Sequence, residues 1–117
     1  MKKDQEFEKS KIFIIVEIIE YVPNSVVIKT ILKKTTGNVS AVSFDSGEEF
    51  AERILPFDTF IQVIEGKAEI IIDNKSNHLI TGQSIVIPAH ESNMIKANER
   101  FKMISTIIKS GYDEVAL

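Results

Sequence analysis

The stretch Pro56–Pro88 reads P-F-D-T-F-I-Q-V-I-E-G-K-A-E-I-I-I-D-N-K-S-N-H-L-I-T-G-Q-S-I-V-I-P. Its β-branched and aromatic residues favour strand, and Glu65-Gly66, Asp73-Asn74 and Thr81-Gly82 supply the turn chemistry that cuts it. The spacing predicts strands over Thr59–Ile64, Lys67–Ile72, His78–Ile80 and Ser84–Ile87, with Pro88 as the stop. Within the first strand a period of two sets Thr59, Ile61 and Val63 on one face and Phe60, Gln62 and Ile64 on the other.

The same pattern extends in both directions. Strands are predicted over Val26–Leu32, Val39–Phe44 and Phe50–Leu55 on the N-terminal side, and over Asn93–Ala97 and Phe101–Lys109 on the other. Lys34–Asn38 and Asp45-Ser46-Gly47 read as turns, and Pro56 interrupts the ladder because it has no N–H to donate. Turn signals recur about every eight to ten residues, with no long amphipathic helical window, so the chain reads as an all-β antiparallel sandwich or barrel. Residues 1–25 form an N-terminal extension. Its first eleven residues are charged and mixed in sign, while Ile12–Ile19 holds seven apolar residues in eight. That run predicts a strand leading into a helical turn before Pro23, covered on most sides.

The 117 residues suffice for one domain, 1–117, with a single core. Hydrophobic content of 44% and charged content of 26% are those of a soluble globular protein. A net charge of −3 with no basic stripe argues against nucleic acid as a partner. Asp4, Glu6 and Glu8 follow Lys2-Lys3 where a secretory signal would be apolar, and Ile12–Ile19 is too short to span a bilayer. No membrane partner and a cytoplasmic location are therefore expected. The chain has no cysteine, which removes disulfides, thiolate metal sites and thiol catalysis.

The segment from Gly47 to Gly66 resembles the first sequence motif of the cupins, and Gly82-Gln83-Ser84-Ile85-Val86-Ile87-Pro88 resembles the start of their second. The resemblance covers about residues 26–109. It implies a cupin-type antiparallel jelly-roll β-barrel with a ligand or metal site inside, commonly paired as a homodimer. In metal-binding cupins the first motif carries two histidines and a glutamate and the second a further histidine. Those positions here are Arg53, Leu55, Thr59 and Asn93. A cation, a hydrocarbon and two neutral oxygens replace the imidazole and carboxylate donors that first-row metals take, so no metal and no cofactor is expected at that place.

What remains is an interior lined by Arg53, Leu55, Thr59, Ile61, Asn93 and Met103, the candidate ligand-binding residues. Arg53 offers a fork of donors to a carboxylate or phosphate; the plainer reading pairs it with Asp58 or draws its head to the barrel mouth. No catalytic residue stands out, and three readings stay open. One is a metal-free barrel holding a small organic or anionic ligand. Another is a metal-dependent isomerase or oxygenase drawing ligands from His78, His90 and nearby acids. The last is a filled barrel that serves as an interaction module. The apolar run Ile12–Ile19 and the strands from Val26 to Phe44 lead us to expect a homodimer.

Overall fold

A computed structural model describes residues 6–112. Its regular structure is all-β apart from one 3-10 turn, Ile15–Glu17. The strands are β1 (Val26–Lys34), β2 (Gly37–Phe44), β3 (Glu49–Ile54), β4 (Asp58–Ile72), β5 (Lys75–Ile80), β6 (Ser84–Ile87), β7 (Ser92–Lys96) and β8 (Phe101–Ile108). Every pairing is antiparallel. β4 belongs to both layers of the barrel: its first half lies between β8 and β6, and its second half between β5 and β7. One layer therefore runs β1-β2-β8-β4-β6 and the other β5-β4-β7-β3. Joined through β4, they curl into a jelly roll.

The passage between layers corrects the expected hairpin at Glu65-Gly66. The chain does not reverse there. The register against β8 slips between Val63 and Glu65, and the strand continues through Gly66 at a φ of +90°. A bulge bends a strand and sharpens its twist, which rolls β4 from one sheet into the other. Gly66 is needed for that corner on two counts. Its φ is one that L side chains avoid, and a Cβ there would lie 2.4 Å from the Arg100 carbonyl oxygen. The Asp73-Asn74 turn does form a two-residue hairpin between β4 and β5, with both residues at positive φ.

Alternation places the core. Thr59, Ile61 and Val63 are buried, whereas Phe60 on the opposite face is 40% exposed. Inside the barrel, Phe44 stacks on Phe101 with ring centroids 4.5 Å apart, and Phe50 meets Phe44 edge-on at 5.0 Å. Phe101 is the register partner of both Phe44 and Gly66, so this aromatic cluster plugs the end of the barrel where β4 turns its corner.

Of the strand leading into a helical turn expected over Ile12–Ile19, only the turn forms, as Ile15–Glu17. The extension crosses the outer face of β2 and β8 as an irregular strap. Ile12 is fully exposed, while Ile19 is buried. The Ser43 hydroxyl donates to the Glu20 carbonyl at 2.9 Å, and Lys102 Nζ donates to the Val16 carbonyl at 2.6 Å. Tyr21 donates to Glu65 at 2.8 Å and lies beneath both Arg100 and Lys102, whose charged ends stand 4.8 and 5.0 Å from its ring centre. Burial, reinforced by the Glu65 carboxylate, pushes the Tyr21 phenol well above its ordinary range. The backbone N–H of Asn24 donates to Asp45, and together with the Arg100 guanidinium it holds that carboxyl below the usual carboxylate range.

Candidate functional site

The barrel end opposite the aromatic plug is built from strand ends. Arg53 is the next-to-last residue of β3, Thr59 the second of β4, Ile72 the last of β4, Asn93 the second of β7, and Ile107 lies near the end of β8. Register ties them together: Asn93 pairs with Arg53 on one side and Ile72 on the other, while Thr59 lies between Ile87 and Ile107. The loop 88–91 joins the two layers at this rim. His90 N–H donates to the Leu55 carbonyl at 2.7 Å, and Ala89 N–H donates to Asp58 Oδ1 at 2.8 Å.

Arg53 faces inward because of a second irregularity. The register of β3 on β7 shifts between Phe50 and Arg53, so β3 spends one extra residue there. Strict alternation would put Glu52 on the Phe50 face. The bulge instead turns Phe50 and Arg53 inward together and leaves Ala51 and Glu52 outside. The Glu52 carboxylate then accepts a hydrogen bond from Ser92 on the outer surface. Arg53 lies over the Phe50 ring, its guanidinium carbon 4.8 Å from the centroid. Burial lowers its pKa, but a guanidinium keeps its proton under ordinary conditions. The expected pairing with Asp58 does not form: Asp58 caps the Ala89 N–H, and Arg53 has no acid within salt-bridge reach among the described residues.

Among the described residues, three buried side-chain atoms have no hydrogen-bond partner: Arg53 Nε, Thr59 Oγ1 and Asn93 Oδ1. All three belong to positions that the sequence marks as replaced metal donors. Thr59 and Asn93 are each 2% exposed. The Asn93 Nδ2 donates weakly, at 3.4 Å, to the Arg53 carbonyl. Leu55 stands partly buried at the rim. Ile61 and Met103 lie deeper, inside the hydrophobic cluster. The structure thus places Arg53, Thr59 and Asn93 at one end of the barrel, with Ile61 and Met103 further in.

These residues do not suit a metal ion. The positively charged Arg53 repels a cation, Leu55 has no lone pair, and Thr59 and Asn93 supply only neutral oxygens. His78 is exposed on β5 beside Ser76, and His90 is exposed in the rim loop. Among the described residues no three His, Asp or Glu side chains group closely enough to hold a metal. Nor does any helix have the length and apolar character to cross a membrane.

The sequence reading missed Tyr112, whose hydroxyl accepts from the Asp58 N–H at 2.8 Å and whose ring lies 6.2 Å from that of Phe57. An aromatic residue just after Gly111 was its only signal. A shallow groove of about 490 Å³ lies between the strap and the barrel, lined by Glu17, Glu20, Tyr21, Glu65, Arg100 and Lys102. Both of its cations are paired: Glu65 meets Lys102 at 3.5 Å, and Arg100 meets Asp45 at 3.0 Å. The groove therefore fastens the strap rather than inviting a ligand.

No protein-family model matches this chain, and no curated protein matches it either. Solved structures do. A conserved protein of unknown function from Streptococcus pyogenes superposes with a TM-score of 0.86 at 24% identity, over 95% of this chain and 97% of that one. A cupin superfamily protein from Desulfitobacterium hafniense gives 0.84 at 23% identity, over 93% and 100%. An RmlC-like cupin from Shewanella frigidimarina gives 0.70 at 19% identity, over 82% and 86%. This likeness and the two-layer topology agree on the fold: the described residues form a small cupin-type jelly-roll barrel.

Proposed function

We propose that this protein is a metal-free cupin barrel that holds a small organic anion at the rim formed by Arg53, Thr59 and Asn93. The observation that carries this reading is the trio of buried, unpartnered polar atoms. A buried donor or acceptor left without a partner costs about 1–3 kcal/mol, so three at one end of the barrel call for a molecule that pairs with them. Arg53 supplies the positive charge and rests over the Phe50 ring. The Phe44–Phe101 plug and the apolar floor limit the occupant to a small molecule.

The test is a thermal-shift screen of small organic acids. A ligand at a hundred times its Kd stabilises the folded state by about 2.7 kcal/mol, a rise on the order of 10 °C for a domain of this size. Arg53→Leu is expected to abolish the rise while leaving the circular-dichroism spectrum unchanged. An equal rise in the variant, or no rise in the wild type with any acid, sinks the reading.

Pairing of two copies is the accompanying proposal. Phe60 and Val86 are cross-strand partners on the outer face of the β8-β4-β6 layer, 40% and 55% exposed, and Ile108 on the same face is 52% exposed. Contiguous apolar surface of this kind marks an interface. Sedimentation at micromolar concentration is expected to give twice the chain mass of 13.2 kDa, and Phe60→Glu to halve it. A monomeric wild type contradicts the proposal.

A further inference from the structure

The donor and acceptor count at the rim says more than that the ligand is anionic. Arg53 Nε–H is a donor only and asks for an acceptor. Asn93 asks for the opposite. Its amide faces the Arg53 carbonyl at 3.4 Å, and a carbonyl accepts and cannot donate. Only the NH₂ end of the amide suits that neighbour, since a flipped amide would set two oxygens against each other. Asn93 Oδ1 is therefore the atom left toward the interior, buried and in need of a donor. Thr59 Oγ1 serves as either, and its strand neighbours Ile87 and Ile107 have no side-chain polar atoms to offer it.

From this count we infer that the ligand is a small hydroxy carboxylate, its carboxylate on Arg53 and its hydroxyl donating to Asn93 Oδ1 with Thr59 alongside. The inference rests on the reading of this rim as an anion site. A simple carboxylate or sulfate has acceptors only and leaves Asn93 unpaired. Phosphate can donate, but its greater charge is met in built sites by several cations or a run of backbone N–H groups, and here one guanidinium stands alone. The carboxylate's single charge matches the single arginine. Ile61 and Met103 beneath the rim receive a short alkyl group rather than a second charge.

Propionate and lactate differ by the hydroxyl alone, and titrating both into the wild-type protein by calorimetry tests the inference. Lactate is expected to bind at least tenfold more tightly than propionate, because a site built to hydrogen-bond a hydroxyl rejects the analogue that lacks it. In Asn93→Leu the two Kd values are expected to converge, and in Arg53→Leu both acids lose binding. Thr59→Val, close in shape, gives a second reading of the hydroxyl preference should Asn93→Leu fold poorly. Equal Kd values for propionate and lactate overturn the hydroxy-acid inference and leave the anion site standing. Tighter binding of inorganic phosphate than of lactate also overturns it. Binding of neither acid nor phosphate, with ordered water alone at Asn93 in a lactate-soaked crystal, overturns both.

Discussion

Gly66→Ala is expected to lower the unfolding free energy by about 3 kcal/mol or more, read as a drop in the urea midpoint. Two costs combine. An L residue at this φ is disfavoured by about 1–2 kcal/mol, and a Cβ placed 2.4 Å from the Arg100 carbonyl and 3.0 Å from Phe101 Cα must push backbone aside. Neither atom is the free end of a side chain, so relief means shifting β8 against β4 at the corner where the two layers join. Gly82→Ala supplies the control. Its φ of +91° is nearly the same, but nothing lies within 4 Å of the added carbon, so it carries the conformational cost alone, about 1–2 kcal/mol. If the two variants lose the same stability, the close approach at Gly66 contributes nothing and the corner is soft.

That corner also marks where local reading of the sequence stops. The pattern of alternation is local, and Thr59-Ile61-Val63 against Phe60-Gln62-Ile64 sorted to inside and outside with no help from the rest of the chain. The glycine at Glu65-Gly66 was visible, but a positive φ serves a hairpin and a bulge equally. What decides between them is the register of β8, a strand that begins 35 positions later at Phe101. The inward aim of Arg53 has the same origin. Phe50 and Arg53 are three apart, a spacing that alternation assigns to opposite faces, and only the bulge against β7 unites them. The motif spacing pointed to Arg53, Thr59 and Asn93 without any account of their geometry. In Ile12–Ile19 the expected helical turn forms at Ile15–Glu17, but the strand before it, which the composition suits, does not. Its strap lies across the face of β2 and β8, where hydrogen bonds come singly from Ser43 and Lys102.

The strap carries the second large effect. A chain that starts at Pro23 is expected to lose about 3–5 kcal/mol of stability, with Ile19 the largest single part. Burying an isoleucine contributes about 1.5–3 kcal/mol, and each lost hydrogen bond about 1. The shortened chain gives up the Ser43 bond to Glu20 and the Tyr21 bond to Glu65. It also uncovers Ala41 and Ser43, both fully buried in the whole protein, and strips Lys102 of the Val16 carbonyl and the Tyr21 ring. Tyr21→Phe removes only the hydroxyl and is expected to cost about 1 kcal/mol, which separates the clasp from the apolar cover. Urea unfolding of the three proteins, repeated over a hundredfold range of concentration, gives the decision. A loss that is the same at every concentration belongs to the strap covering its own barrel. A loss that appears only where the full chain pairs assigns the same residues to a contact between copies, and an unchanged midpoint shows that the strap covers nothing the barrel needs.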